Sequence, residues 1–373
     1  MPITIQPYRQ EHEPAVAAFN RRLAAAGVDE NLVFYTRSIP RWLPKTEGSD
    51  VYNEFFVALD GDTVRGGYAL KTQNFLLPDG TTRPIGYYHH VLSEGIVNKA
   101  YAAAGGLLLR DAMLRSPLLY CLGMGGYDHP LPKMLIGLGW NHCPVPFFFR
   151  IVHPSRFLRE MQTLRTSAAR RLLMNLVAVT GSGWAAGKTY LAFRRLKSPR
   201  IAPHTMQVVG EFGDEVDALW LQARSAYSFT AIRDARTLRV FYPATDQHFT
   251  RLTVSRGGSL LGWAVVGERR RDAKYGSMRV GSILDCWALP GEELAVARSA
   301  TQVLEQQRFD LILSNQSHQS WRRAFKDYGY LSAESNFIFA ASKNLVKMLD
   351  PFDETKLRMH FTRADGDGLP RNF

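Results

Sequence analysis

Cysteine is scarce in this chain: only Cys121, Cys143 and Cys286 occur in 373 residues. An odd number without paired spacing excludes a disulfide framework and a C-x-x-C zinc site, and it fits a reducing cytoplasm. Metal and hydrolase signatures are absent as well. There is no H-E-x-x-H, no H-x-x-x-H and no G-x-S-x-G, so no metal is expected. The stretch GSGWAAGKT, Gly181–Thr189, misses the phosphate-binding loop G-x-x-x-x-G-K-[ST] because Ser182 stands where the first glycine is required. The opening residues MPITIQPYRQEHEP lack an apolar core, so no signal peptide is expected. Leu172–Ala192 is apolar but broken by Gly181, Gly183 and Lys188, too polar for a membrane span. With Arg170, Arg171, Arg194 and Arg195 at its flanks it reads as an interdomain core helix or an interfacial one. Acidic residues are also few, 34 against 46 lysines and arginines, for a net charge of +12. Part of the excess lies in the Arg-rich stretch Arg156–Arg200. Such a balance speaks of partners, not of fold: an anionic cofactor, tRNA, an anionic membrane surface, or only solvent around a linker.

What the chain does contain is a pattern that occurs twice. Residues 55–70, FFVALDGDTVRGGYAL, and 249–266, FTRLTVSRGGSLLGWAVV, each read as strand, glycine turn, strand. The second strands carry Gly67-Tyr68-Ala69 and Gly262-Trp263-Ala264, an offset of 195 residues. Downstream, a helix in each half ends in Gly139-Trp140 and Gly329-Tyr330, an offset of 190 residues. A further strand follows each, Phe147-Phe148-Phe149 and Phe337-Ile338-Phe339. Two landmarks at nearly one offset mark an internal repeat.

The repeat divides the chain into a first domain over 1–153, a basic helical linker over 154–204, a second domain over 205–345 and a tail over 346–373, expected to be mobile from 350 on. Within the first half the pattern predicts a strand at 3–6, a helix at 13–26 with Val16, Phe19 and Leu23 inward, and the 55–76 hairpin. A strand over 85–97, a loop entering a helix over 101–115, a strand at 118–123, a helix at 130–138 and a strand at 146–152 complete it. The second half repeats that order. Strands and helices alternate around an antiparallel hairpin, which predicts an α/β architecture, a mixed sheet with helices on both faces in each half.

This order, with a glycine-containing turn between the fourth strand and its helix, resembles the GNAT acyltransferases. Two fused copies resemble the tandem members of that family, the N-myristoyltransferase-like and Fem-like proteins. The resemblance implies acyl-CoA, acetyl-CoA or longer, as co-substrate and an amine as acceptor, small or sugar-linked, bound in a cleft between the halves. In the family, backbone N–H groups of the loop and helix start hold the CoA pyrophosphate. The matching stretch here contains Ile96, Val97, Tyr101, Ala102, Ala103, Ala104, Gly105 and Gly106. Tyr101 stands where the family has Arg or Gln, and Ala104 and Gly106 take the small positions. The second half has Glu292 and Glu293 at that place, where carboxylates repel a pyrophosphate, so acyl-CoA is expected in the first half alone.

The family's thiolate-protonating tyrosine has no counterpart. Counting back from Trp140 puts Asp128 and Leu135 on the Asn and Tyr positions of the family helix, and counting back from Tyr330 puts His318 and Phe325 there. A general base must be His or a carboxylate near the fourth strand. Candidates are His89, His90 and Glu94, with Asp285 in the second half. Strand alternation lets only one of the two histidines face the cleft and puts Glu94 on the face of His90, so His90 with Glu94 is the preferred pair. Asp285, in the apolar run SILDCW, needs a partner or a role to be tolerated there, while Cys286 beside it reads as core. His129, in the glycine-rich GMGGYDHP, follows a strand end where α/β folds bind ligands. Three functions stay open: an acyl-CoA-dependent N-acyltransferase, a Fem-like aminoacyltransferase using charged tRNA, and a degenerate pair that only binds. The expected location is the cytoplasm, with the inner membrane surface as a peripheral option.

Overall fold

The computed structural model of the chain describes residues 3–29, 32–162, 189, 199–269 and 272–366. The near-P-loop other than Thr189, the apolar 172–192 segment and most of the basic linker lie outside the described residues, and with them the expectations of tRNA or membrane contact built there. Among the described residues no helix is long and apolar enough to cross a membrane.

In chain order the first elements are β1 (Thr4–Pro7), α1 (Glu13–Ala25), β2 (Tyr52–Asp60), β3 (Thr63–Leu76), β4 (Thr82–Ser93), α2 (Ala104–Arg115), β5 (Leu119–Gly123), α3 (Pro130–Gly137), β6 (Asn141–Pro144), β7 (Phe147–Ile151) and α4 (Pro154–Glu160). There follow β8 (Thr205–Val209), α5 (Glu215–Ala223), β9 (Phe229–Ala231), α6 (Ala235–Phe241), β10 (Thr250–Arg256), β11 (Ser259–Glu268), β12 (Val280–Ala288) and α7 (Glu293–Gln306). The last are β13 (Leu311–Asn315), α8 (Gln319–Asp327), β14 (Leu331–Ala333), β15 (Ile338–Ala341), α9 (Lys343–Met348), α10 (Phe352–Arg358) and β16 (Met359–His360).

The chain folds as two compact units, one from Met1–Cys143 with Ile338–Phe352, the other from the described residues of Pro144–Phe337 and of Asp353–Pro370. The first unit's sheet runs β1-β2-β3-β4-β5-β15-β6, the second's β14-β7-β13-β12-β11-β10-β8. Each is mixed, with β4·β5 and β12·β13 parallel and the hairpins antiparallel. The expected α/β architecture is therefore present in both units, with one difference. The final strand of each repeat enters the other sheet: β7 pairs β13 in the second unit, and β15 pairs β5 in the first. Phe147-Phe148-Phe149 and Phe337-Ile338-Phe339 are equally apolar, so hydrophobic pattern does not decide which sheet either one joins.

Alternation along β2 builds both faces of the first sheet. Phe55, Val57 and Leu59 pack with Val16, Phe19 and Leu23 of α1, while Phe56 and Ala58 pack with Leu108, Leu109 and Ala112 of α2. The hairpins of the two units are equivalent to the residue. Each has a bulge that leaves one extra residue, Arg65 opposite Ala58–Leu59 and Leu261 opposite Val254–Ser255. This register matches Gly66, not Gly67, with Gly262. A Cβ on Gly66 would lie 2.7 Å from the Leu92 carbonyl and 3.2 Å from Leu108; one on Gly262 would lie 2.4 Å from the Trp287 carbonyl and 2.5 Å from Val296. Both glycines make room for the helix after the middle strand. The repeat's true offset here is 196 residues, one more than the Gly-aromatic-Ala motif gives.

The tail is a correction as well. Its described residues include the helix Phe352–Arg358 and the strand Met359–His360, and Thr362, Arg363 and Asp365 are buried. Charge suggested a solvated end; ion pairing inside the second unit overrides it.

Candidate functional site

In both units the parallel pair at the sheet's centre separates. Pairing of β4 with β5 ends at Tyr87–Tyr120, although β4 continues to Ser93 and β5 to Gly123. Pairing of β12 with β13 ends at Ser282–Leu313, although β12 continues to Ala288. Each middle strand also bulges just past the split. The β3–β4 ladder passes from Ala69–His89 to Gly67–Leu92, leaving His90 and Val91 opposite Tyr68, with His90 at φ +50. The β11–β12 ladder leaves Leu284 extra beside Asp285.

The bulge in β4 overturns the strict alternation expected of His89 and His90. His89 Nε2 lies 3.3 Å from Asn53 Oδ1. His90 stacks on Tyr35 at 4.2 Å, and Tyr35 stacks on Phe55 at 4.0 Å. Asn53 and Phe55 are two apart on β2, hence on one face. Both histidines therefore face that side. His90 Nε2 lies 2.7 Å from the Val33 carbonyl. A carbonyl only accepts, so Nε2 carries the proton and Nδ1 keeps its lone pair. Burial lowers the pKa of His90, opposed by the bond to Val33, so the ring is neutral near pH 7. His89 is also pushed down by burial, with His90 and Lys71 adding to it.

Glu94 does not meet His90. Its carboxylate takes hydrogen bonds from Arg22 at 2.9 Å and from Arg65 at 3.0 and 3.1 Å. Burial would raise its pKa, but the two guanidiniums hold it below the usual carboxylate range. The expected His90–Glu94 pair is replaced by a Glu94–Arg22–Arg65 cluster, because after the bulge the chain turns into a short 3-10 segment, Glu94–Ile96.

Beyond that segment, Ile96 and Val97 are exposed apolar residues. Tyr101 donates from its hydroxyl to Asp60 at 3.0 Å and lies under the Arg65 guanidinium. Ala102 and Ala103 are exposed, Ala104 is buried, and Ala103 caps α2 with no side-chain hydrogen bond. No acidic residue stands in the first turn of α2. A Cβ on Gly105 or Gly106 would meet nothing within 4 Å. The first N–H groups of α2 thus have neither intrahelical acceptors nor a capping side chain. Asp128 is exposed, and His129 directly precedes α3. The preceding loop is unusual in that Gly123, Met124, Gly125 and Gly126 all have positive φ. Leu135, on the family's tyrosine position, is fully buried in the core.

In the second unit the same places are filled. Glu292 holds Arg256 at 2.6 and 2.8 Å, and Glu293, buried in the first turn of α7, accepts from the Gly291 N–H at 2.9 Å. Burial raises the pKa of Glu293. Asp285 is 4% exposed and accepts from Arg233 Nε at 3.1 Å, Tyr242 Oη at 3.0 Å and Thr362 Oγ1 at 3.1 Å. Arg233 also holds Asp365 at 2.7 Å. Burial raises the pKa of Asp285, partly offset by Arg233. The C-terminal segment bridges the diverging strands. His360 Nε2 donates to the Cys286 carbonyl at 2.9 Å, the Ser317 N–H donates to the Phe361 carbonyl at 3.2 Å, and Arg363 donates to Asn315 at 2.6 Å. Burial pushes the Cys286 thiol well up, which suits a core residue and not a nucleophile.

Sequence reasoning missed the segment between α1 and β2. It brings Tyr35, Thr36, Arg37, Ile39 and Arg41 round a cavity of about 90 Å³ whose floor includes Phe55. Its length was the available signal, since long connections without regular structure tend to be functional. No group of His, Cys, Asp or Glu able to hold a metal occurs among the described residues.

No family model matches the chain, and no curated protein matches its sequence. Solved structures do match. Saccharomyces cerevisiae N-myristoyltransferase with bound myristoyl-CoA is 9% identical, with 91% of this chain and 78% of that one covered and a TM-score of 0.55. A GCN5-related N-acetyltransferase from Anabaena variabilis is 10% identical, with 91% and 72% covered and a TM-score of 0.52. At such identities the likeness concerns the fold: the chain has the GNAT fold, in two copies.

Proposed function

We propose that the chain is an acyl-CoA-dependent N-acyltransferase with one working site, in the first unit. The observation that carries this reading is the uncapped start of α2 beside the opening between β4 and β5. Its second-unit counterpart, the start of α7, is occupied by Glu292 and Glu293. The residues present fit acyl-CoA. The amides of residues 104–106 would take the pyrophosphate, where helix start and dipole favour an anion, and bare glycines leave it room. Ile96 and Val97 would line the pantetheine arm. When bound, acyl-CoA supplies a thioester carbonyl open to attack by an amine.

The chain's own groups would then do three things. An N–H freed from the ladder at the His90–Val91 bulge donates to the carbonyl oxygen as charge develops on it. Nδ1 of His90 takes the proton of the attacking amine. Tyr35 and Val33 hold the ring in place. The balance is simple: a C–N bond forms, the C–S bond breaks with its electrons on sulfur, and the proton on Nδ1 matches the departing thiolate. No tyrosine serves that thiolate from α3, since Leu135 is core. The acceptor is a small-molecule amine approaching over Tyr35.

Calorimetry with CoA tests the site. Wild type should bind one CoA. Gly106→Glu puts a carboxylate at the α2 start and should weaken binding by at least roughly tenfold, the scale of one lost charge-assisted hydrogen bond. Unchanged affinity in that variant, or no CoA binding by wild type, refutes the assignment.

A further inference from the structure

The segment between α1 and β2 points to a chemical class for the acceptor. Its cavity holds about 90 Å³, space for roughly three waters or one small oxyanion. The walls are the rings of Tyr35 and Phe55, the Thr36 hydroxyl, and the side chains of Arg37, Arg41 and Ile39. No carboxylate lines it. Both arginines are exposed, and the charge of Arg37 also acts on one carboxylate, that of Glu13. Glu13 is held mainly by the neighbouring Ser38: its Oε1 accepts from the Ser38 N–H at 2.9 Å and the Ser38 hydroxyl at 3.0 Å. Those bonds hold its pKa down, the backbone one first, and the Arg37 guanidinium adds to them.

The cavity is tied to the proposed base. Tyr35, one of its walls, is clasped between Phe55 at 4.0 Å and His90 at 4.2 Å. Phe34, next in the chain, packs on His90 from 5.9 Å and bonds through its N–H and carbonyl to Asn20 of α1 at 2.8 and 2.9 Å. The loop is thus anchored at the residue preceding the cavity. A group held in this cavity shares the Tyr35 ring with His90. Paired guanidiniums are forks for oxyanions, which they bind bidentately and with charge assistance.

We propose that the acceptor is an amine bearing an oxyanion, a carboxylate or a phosphate, held by Arg37 and Arg41 with Thr36 while its amino group meets Nδ1 of His90. This rests on the acyltransferase reading, and it adds that the enzyme selects its amine by charge.

Two arms test it, and the second does not depend on acyl transfer. In the first, amines are offered in matched pairs with acetyl-CoA: amino acids against their amides, and phosphate monoesters of amino alcohols against the free alcohols. Wild type should prefer the anionic member by roughly ten- to a hundredfold in kcat/KM, the worth of one or two charge-assisted hydrogen bonds. Arg37→Ala/Arg41→Ala should bring the ratio close to one, and Arg37→Lys/Arg41→Lys should restore part of it. The pair that wild type prefers identifies carboxylate or phosphate. Equal use of both members by wild type, or a ratio unchanged in the double alanine variant, overturns the proposal while leaving the acyltransferase intact. In the second arm, broadening of the phosphorus resonance of inorganic phosphate and of the carbon resonance of labelled acetate is followed in wild type, the double alanine variant and Gly106→Glu. Broadening by either anion that survives Gly106→Glu and disappears with the arginines supports the cavity, even if no acyl-CoA binds. Broadening that disappears only with Gly106→Glu, or none with either anion, counts against it. Both arginines are exposed, so their replacement leaves the fold intact, which circular dichroism confirms.

Discussion

The two units share a hairpin bulge, a split central pair and a helix after the middle strand, yet treat the split in opposite ways. In the first unit, Tyr87 donates to the Leu122 carbonyl across it at 2.8 Å. In the second, Ser314 donates to the Ile283 carbonyl at 3.2 Å, Gln316 donates to the Cys286 Sγ at 3.4 Å, and the C-terminal segment lies across the end. The helix starts differ in the same sense: α2 has bare glycines, α7 its own carboxylates. One fold has been kept twice, once as a socket and once as a plug. The lesson concerns polar residues. Asp285, Arg233 and Asp365 look catalytic by type, but each is fully engaged by the others. His90, with Nδ1 uncommitted, is the better candidate for chemistry.

The largest effect should come from the plug. Arg233 is the shared cation of two buried carboxylates. Arg233→Met leaves both without it and should cost roughly 3–5 kcal/mol of unfolding free energy, the usual result of breaking a buried pair from one side. Urea denaturation measures it. A loss below about 1 kcal/mol would mean that water reaches the network, and the contrast between dry plug and open socket would collapse.

Next comes the socket. His90→Ala should lower kcat by roughly a hundredfold or more, the scale of lost general-base help, with CoA affinity near normal. The deficit should shrink as pH rises and the amine neutralises unaided. Glu94→Gln sharpens the point. Because Glu94 is bound to Arg22 and Arg65, it should lower stability by about 1–3 kcal/mol and leave turnover of the folded enzyme near wild type. If Glu94→Gln instead abolished turnover at unchanged stability, the carboxylate would have to reach the substrate after all.

Much of this was readable in the residues, and what was not has identifiable causes. Helices such as Glu13–Ala25 and Glu293–Gln306 follow from apolar spacing, and the repeat from paired landmarks. The one-residue error in offset arose because Gly66 and Gly67 stand together for different reasons. Gly66 clears Leu108 and the β4 backbone, Gly67 clears Phe34. The bulge at His90 left no trace, since bulges with positive φ are usually marked by Gly or Asn, and here a histidine is held there by Tyr35 and Val33. The plug was hidden for another reason. Arg363 and Asp365 belong to types that are exposed unless paired, and their partners Asn315 and Arg233 lie far away in sequence.

The smallest effect is a pH slope that reports whether the plug is dry. Burial lowers the pKa of His318 to about 4 and takes that of His360 well below its ordinary value, with Arg233 and His318 adding to the shift in His360. An unfolded imidazole titrates near 6.5. Between about pH 6.5 and 4 the unfolded chain therefore holds more protons than the native one, so stability rises with pH across that window. The contribution is fully present above 6.5 and is lost as pH falls toward 4. From pH 7 to 6 each imidazole should remove roughly 0.5–1 kcal/mol. His89 and His90 add slopes of the same sign, so wild type alone cannot assign the effect. His318→Gln can: the slope should flatten by one imidazole's share, read from urea midpoints at the two pH values. If it does not flatten, His318 is protonated as readily in the native protein as in the unfolded chain. Water would then already stand between β12, β13 and the C-terminal segment, and the second unit would be a closed door and not a sealed one.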